Sequence, residues 1–159
     1  MLFDANLMFD GGLPSTGGIT GVNVFTNGSS QASSNVLNLL NARDLGMAPQ
    51  GKATLQIFCL VTTAFSGGTS LNVQFQGSTD NVTYTTYAET GAIPVASLSV
   101  GKNIFNQVIP GVQPEDGALP QYYRLNYVCV GNVTAGAVIS GLTQSDDNRY
   151  YAPGIAVAN

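Results

Sequence analysis

The stretch Leu71–Tyr87 constrains this chain most. Leu71, Val73 and Phe75 alternate with Asn72, Gln74 and Gln76. A period of two puts the apolar side chains on one face of a strand and the amides on the other. Gly77, Ser78, Asp80 and Asn81 follow, all turn formers. The β-branched and aromatic run Val82–Tyr87 then reads as the returning strand of a hairpin.

The same grammar recurs along the chain. Ala53–Phe65 reads as the strongest strand, with Leu55, Ile57, Cys59 and Val61 on one side and Phe58 and Leu60 on the other. Apolar residues on both faces imply a strand covered on both sides, or one that meets a partner. Ser66–Ser70 reads as the turn into the hairpin. Val22–Phe25, Val36–Leu40, Ala92–Leu98 and Lys102–Ile109 read as further strands. Gln121–Val130 and Val133–Leu142 read as a strand pair around a Gly131-Asn132 turn. No amphipathic helix of useful length is legible. Short strands with Gly/Asn turns between them predict an all-β, single-domain jelly roll or β-sandwich. Residues 1–12 read as an N-terminal strand or arm, 13–145 as the sandwich, and 146–159 as an extended tail. Ordering backbone costs about 1–2 kcal/mol per residue, so the tail is expected to be loose in a free subunit and ordered by a partner.

Composition narrows the function. Charged residues make up 9% of the 159, where roughly 25% is usual. A surface of amides and hydroxyls suits a protein packed against others, and equally a small polar β domain. The net charge is −4, and the five basic residues, Arg43, Lys52, Lys102, Arg124 and Arg149, are scattered. Nucleic-acid binding needs a clustered basic footprint, so none is expected. No apolar run approaches the ~18 residues of a membrane span, and the N-terminus lacks the pattern of a signal peptide.

Catalysis and cofactors find little support. The chain has no His, hence neither the commonest general base nor the commonest transition-metal ligand. Gly46–Ala53 nearly matches a phosphate-binding loop, but Ala53 replaces the required Ser/Thr and a strand, not a helix, follows. Glu115-Asp116 and Asp146-Asp147 sit in predicted loops, and neighbouring side chains there point apart. Asp146, Asp147 and Asn148 fall short of the six to eight oxygens about a calcium ion. Cys59 and Cys129 lie inside predicted strands and read as free, buried thiols. The glycosylation-type triplets at Asn27, Asn81 and Asn132 are expected by chance in an Asn/Thr-rich chain. No catalytic residue, metal, cofactor or small-molecule substrate is therefore expected. Tyr84, Tyr87, Tyr122, Tyr123 and Tyr127 could form a sugar-binding platform or serve as core and cross-strand packing.

Three stretches carry a resemblance. The opening Met1–Phe9, the run Val36–Leu39 with Ala42-Arg43-Asp44-Leu45-Gly46, and the ending Tyr150–Val157 occur in an order that, with the Gly-Ser-Thr-Asp hairpin, resembles the capsid cement (decoration) proteins of tailed bacteriophages, of the Bordetella-phage type. The chain differs by a longer Gly/Ser-rich insertion around residues 11–35 and by Tyr-Ala-Pro in its tail. The resemblance implies a jelly-roll subunit on the outer surface of the head. It would bridge major capsid protein subunits against internal pressure and self-associate as a homodimer, with a trimer as the alternative. Leu2, Phe3 and Phe9 at one end and Tyr150, Tyr151 and Pro153 at the other are the expected partner contacts, with packing inside the subunit as the competing reading. Two other classes stand beside it: a carbohydrate-binding or adhesion module of a fibre or secreted protein, and an enzyme domain, for which no polar constellation is found.

Overall fold

The computed structural model describes residues 5–12, 21–23, 30–46, 55–111 and 118–144. Among these residues eleven strands run in chain order: β1 (Met8–Asp10), β2 (Val22–Asn23), β3 (Ser30–Ala32), β4 (Leu37–Asn38), β5 (Leu55–Gly67), β6 (Ser70–Ser78), β7 (Thr85–Glu89), β8 (Ile93–Pro94), β9 (Asn103–Val108), β10 (Tyr122–Val130) and β11 (Val133–Gln144). The helical pieces among the described residues are 3-10 turns at Ala5–Leu7 and Val95–Ser97. All strand pairs are antiparallel.

The strands form a five-stranded sheet, β1-β11-β5-β9 with β2 also on β11, and a six-stranded sheet, β3-β10-β6-β7 with β4 on β10 and β8 on β6. The pairing is nested. β1 meets β11, β3 and β4 meet β10, β5 meets β9, and β6 meets β7. Early strands thus pair with late ones, as in a long hairpin rolled into two sheets, which is the jelly-roll arrangement. The expected all-β sandwich is therefore what the chain forms.

Between the sheets lies the core. Ile57, Cys59 and Val61 of β5 face Leu71, Val73 and Phe75 of β6 and Tyr123, Leu125 and Tyr127 of β10 in one buried cluster. Phe75 stacks on Tyr123 at 5.4 Å between ring centres and meets Phe9 edge-on at 6.2 Å, geometries that add to simple area burial. Phe58, on the opposite face of β5, packs with Met8 and Ile139 in a second, smaller cluster. The two-faced apolar pattern of β5 thus corresponds to two cores. Cys59 and Cys129 are both buried and free.

Ser66–Ser70 leads into the β6–β7 hairpin, as expected, and carries the chain from one sheet to the other. It is a tight corner where the chain changes sheet, and Gly131-Asn132 between β10 and β11 is another. The corners touch: the Thr69 N–H donates to the Val130 carbonyl at 2.7 Å. A Cβ on Gly131 would lie 2.9 Å from the Gly68 Cα, and both glycines have positive φ. Only glycine lets the two backbones approach this closely.

The returning strand of the Leu71 hairpin starts at Thr85 rather than Val82. Asp80 Oδ1 accepts the N–H groups of Val82 and Thr83, at 2.9 and 2.8 Å. Those donors are held in the turn instead of the ladder. Ala92–Leu98, expected as one strand, is the two-residue β8 followed by a 3-10 turn. Pro94 has no N–H with which to extend the ladder.

Candidate functional site

The outer face of the six-stranded sheet is built by alternation. Asn72, Gln74 and Gln76 of β6 lie opposite the inward Leu71, Val73 and Phe75, and Arg124 and Asn126 of β10 alternate with buried Tyr123, Leu125 and Tyr127. The register sets Arg124 beside Gln76 and Asn126 beside Gln74. A continuous ladder results. Ser30 Oγ donates to Asn126 Oδ1 at 2.8 Å, and Asn126 Nδ2 donates to Gln74 Oε1 at 2.9 Å. Gln74 Nε2 and Asn72 Nδ2 both donate to Glu89 Oε2, at 3.2 and 2.9 Å. These donations, Asn72 first, hold the Glu89 carboxyl below its ordinary range. Arg124 Nε donates to Gln76 Oε1 at 3.0 Å, and its guanidinium lies 3.5 Å over the Tyr84 ring, a cation–π contact. This face is polar and cross-linked to itself, suited to broad contact rather than to proton transfer.

One end of the same sheet carries two turns of unusual backbone. Asn38, Tyr122 and Ser78 lie side by side across β4, β10 and β6. The loop after Asn38 contains Leu40 at φ 62°, and the loop after Ser78 contains Asn81 at φ 61°. Within the first loop, the backbone N–H of Arg43 donates to the Pro120 carbonyl at 3.1 Å. The Arg43 carbonyl accepts the Tyr123 hydroxyl at 3.0 Å, and Asp44 Oδ1 accepts the Gly46 N–H at 2.8 Å.

A third polar group lies inside the sandwich. Asp10 is 2% exposed. Its Oδ2 accepts the Tyr127 hydroxyl at 2.5 Å and the Ser140 hydroxyl at 3.4 Å, and its Oδ1 accepts the Ser34 N–H at 2.8 Å. Burial first, then the neighbouring Cys59 and Asp10, pushes the Tyr127 hydroxyl well above its ordinary pKa. Burial, then Asp10, does the same to the Cys59 thiol. Phenol and thiol are held protonated, which removes both as nucleophiles. The cluster fastens β1, β10, β11 and the segment after β3 to one another.

Of the sequence-predicted contact residues, Leu2, Phe3, Tyr150, Tyr151 and Pro153 lie outside the described residues. Phe9 is taken up by the subunit's own core. The five tyrosines do not make one platform. Tyr123 and Tyr127 point inward, Tyr87 packs against the core, and Tyr84 lies under Arg124. Glu115-Asp116 and Asp146-Asp147 also lie outside the described residues. Among the described residues no group of three or more His, Cys, Asp or Glu could hold a metal ion, and no helix is long and apolar enough to cross a membrane.

Sequence reasoning missed Asp10, Leu40 and Val82. For Asp10 the available signal was a carboxylate directly after the apolar run Leu7-Met8-Phe9. For Leu40 it was a lone leucine beyond a strand, beside Asn38 and Asn41. For Val82 it was a valine inside an Asp/Asn/Thr turn.

A search of curated proteins returns no match. The family model described as Bbp16 matches residues 23–142, from β2 into β11. That span holds both corners, the amide ladder and both loops with left-handed residues, and so the chain belongs to the Bbp16 family, which takes its name from a Bordetella phage protein.

Proposed function

We propose that this protein is a capsid cement protein on the outer surface of a tailed-phage head. Subunits, associating as homodimers, would bridge copies of the major capsid protein and resist their separation when the packaged genome pressurises the shell. The observation that carries this reading is membership of the phage family across most of a jelly-roll domain. The charge-poor composition and the self-bonded amide face support it, because they offer broad, hydrogen-bonding contact without single-sign fields. The role is mechanical rather than catalytic. Each contact can be weak, since linked contacts on one particle reinforce one another through effective concentration.

Quantitative mass spectrometry of purified virions tests it, by counting copies of this chain against the major capsid protein. A simple fixed ratio is expected. Absence from the virion, or a few copies per particle, would remove the cement reading.

A further inference from the structure

The two loops at the end of the six-stranded sheet leave Asn38 and Ser78, which flank Tyr122. They start two strand spacings apart, roughly 10 Å. Leu40 is 78% exposed and Val82 81%, the highest values among the exposed large hydrophobic residues described. Asn81, next to Val82, and Leu40 itself are the non-glycine residues with positive φ among those described. Asparagine tolerates that conformation, whereas for leucine it costs roughly 1–2 kcal/mol.

Neither loop is slack. The Leu40 N–H donates to Asn38 Oδ1 at 2.8 Å, and the same oxygen accepts Gln121 Nε2 at 3.0 Å. In the second loop Ser78 Oγ accepts the N–H groups of Asp80 and Asn81, at 3.2 and 2.9 Å. Asp80 Oδ1 accepts those of Val82 and Thr83, and the Tyr84 hydroxyl donates to Asn81 Oδ1. Two fixed turns thus hold aliphatic side chains in water, one of them on strained backbone. An asparagine or glycine at position 40 would fold with less strain. Strain that the surroundings maintain, together with apolar side chains offered to solvent, is the signature of a pre-organised contact.

We infer that Leu40 and Val82 are paired docking prongs that seat in two apolar recesses of the major capsid protein. This rests on the capsid reading above. The size of the patch decides between occupants. Two aliphatic tips with half-buried Tyr122 between them offer a few hundred Å², against the ~800 Å² that each partner of a stable free pair buries. This face is too small to hold a second copy of the chain in solution. Repeated over a particle it is sufficient, and rigid tips avoid the entropic cost of ordering on contact.

The test uses phage heads that lack this protein, incubated with a concentration series of the full-length chain. Bound copies are counted by co-sedimentation. The variants are Leu40→Asn, Val82→Ser and the double variant, with Val100→Ser, an exposed valine before β9, as the control. Each single prong variant is expected to weaken binding about tenfold, roughly 1.4 kcal/mol. The double variant should not bind where the wild type saturates, and the control should bind normally. Melting of free Leu40→Asn should be no lower than wild type, which separates lost docking from lost folding. Wild-type binding by the double variant, or equal loss in the control, overturns the inference. So does altered self-association of the free double variant, which would assign the face to a second copy. Failure of the wild type itself to bind heads overturns the capsid reading, and the prongs with it.

Discussion

Tyr127 donates its hydroxyl hydrogen to Asp10 at 2.5 Å, joining residues 117 positions apart inside the sandwich. Asp10 enters on β1 at the edge of one sheet, and Tyr127 comes from the middle of the other. A buried carboxylate survives only when its oxygens are filled, and here Tyr127, Ser140 and Ser34 fill them. Tyr127→Phe removes the strongest donor and leaves the rest in place. It is expected to destabilise the fold by about 1.5–3 kcal/mol, the range for hydrogen bonds to charged groups. Urea unfolding measures this. A cycle with Asp10→Ala should give a coupling of at least about 1 kcal/mol, and additive losses would show that the pair does not act as one unit.

Alkaline pH should weaken the fold through this cluster, with its neighbour Cys59, and through Tyr123. Burial raises the pKa of Cys59 above its ordinary 9.0, and those of Tyr127 and Tyr123 above 10.0. Each group is neutral when protonated, and the native state keeps the proton longer than the unfolded chain. The contribution is therefore complete below the unfolded pKa and is lost as pH rises from there toward the folded value. Stability should be level up to about pH 9 and then fall, each group adding a slope of up to ~1.4 kcal/mol per pH unit. Urea midpoints between about pH 8 and about pH 11 trace this. Cys59→Ala should make the fall that begins near about pH 9 shallower, leaving the share of Cys129, whose pKa burial also raises, and Tyr127→Phe should flatten the slope above about pH 10. A midpoint unchanged across the range would contradict the burial of these groups.

The touching corners make a third, purely steric prediction. Gly91 and Gly131 both have positive φ, at 70° and 85°. A Cβ on Gly91 would meet nothing within 4 Å, while one on Gly131 would meet the Gly68 backbone at 2.9 Å. Gly91→Ala should therefore cost only the left-handed penalty, about 1 kcal/mol. Gly131→Ala should cost at least about 1 kcal/mol more, because one corner must move off the other. Equal losses in thermal or urea unfolding would mean that the corners do not constrain each other.

The parts of this architecture legible in the sequence are those governed by local period. Ile57, Cys59 and Val61, and the Leu71–Phe75 alternation, reach the core because strand geometry sends every second residue to one face. The apolar residues on both faces of β5 implied either cover on both sides or a partner contact, and Phe58 packs within the subunit on the other face, with Met8 and Ile139. What local period does not encode is which sheet a strand joins. The Ser66–Ser70 corner has the residues of a hairpin turn, and its close partner at Gly131 lies far along the chain. Asp10 was illegible for the same reason, since Tyr127 and Ser140 are distant in sequence. Tyr123 and Tyr127 share a register and Tyr122 does not, which divides the tyrosines between core and surface. The prongs depend on turn conformation. Asn38, Ser78 and Asp80 redirect backbone donors and leave Leu40 and Val82 with no core to enter.

Phe9 separates packing from partnership most directly. It is 1% exposed, meets Phe75 edge-on, and through it joins the Phe75–Tyr123 stack. A side chain so placed contributes to the subunit before any partner arrives. Phe9→Ala should lower the stability of the isolated protein by about 3–5 kcal/mol, through lost transfer energy and the cavity left behind. Phe9→Leu, closer in volume, should lose much less, about 1–2 kcal/mol. Both are read by urea unfolding of the free chain, with no heads present. Head binding, normalised to the folded fraction, should match wild type for Phe9→Leu, because its altered side chain lies under β1 and not at the surface. Wild-type stability of Phe9→Ala combined with weakened head binding would move Phe9 from the core to an interface, and would return the N-terminal residues to the contact role that the resemblance implies for them.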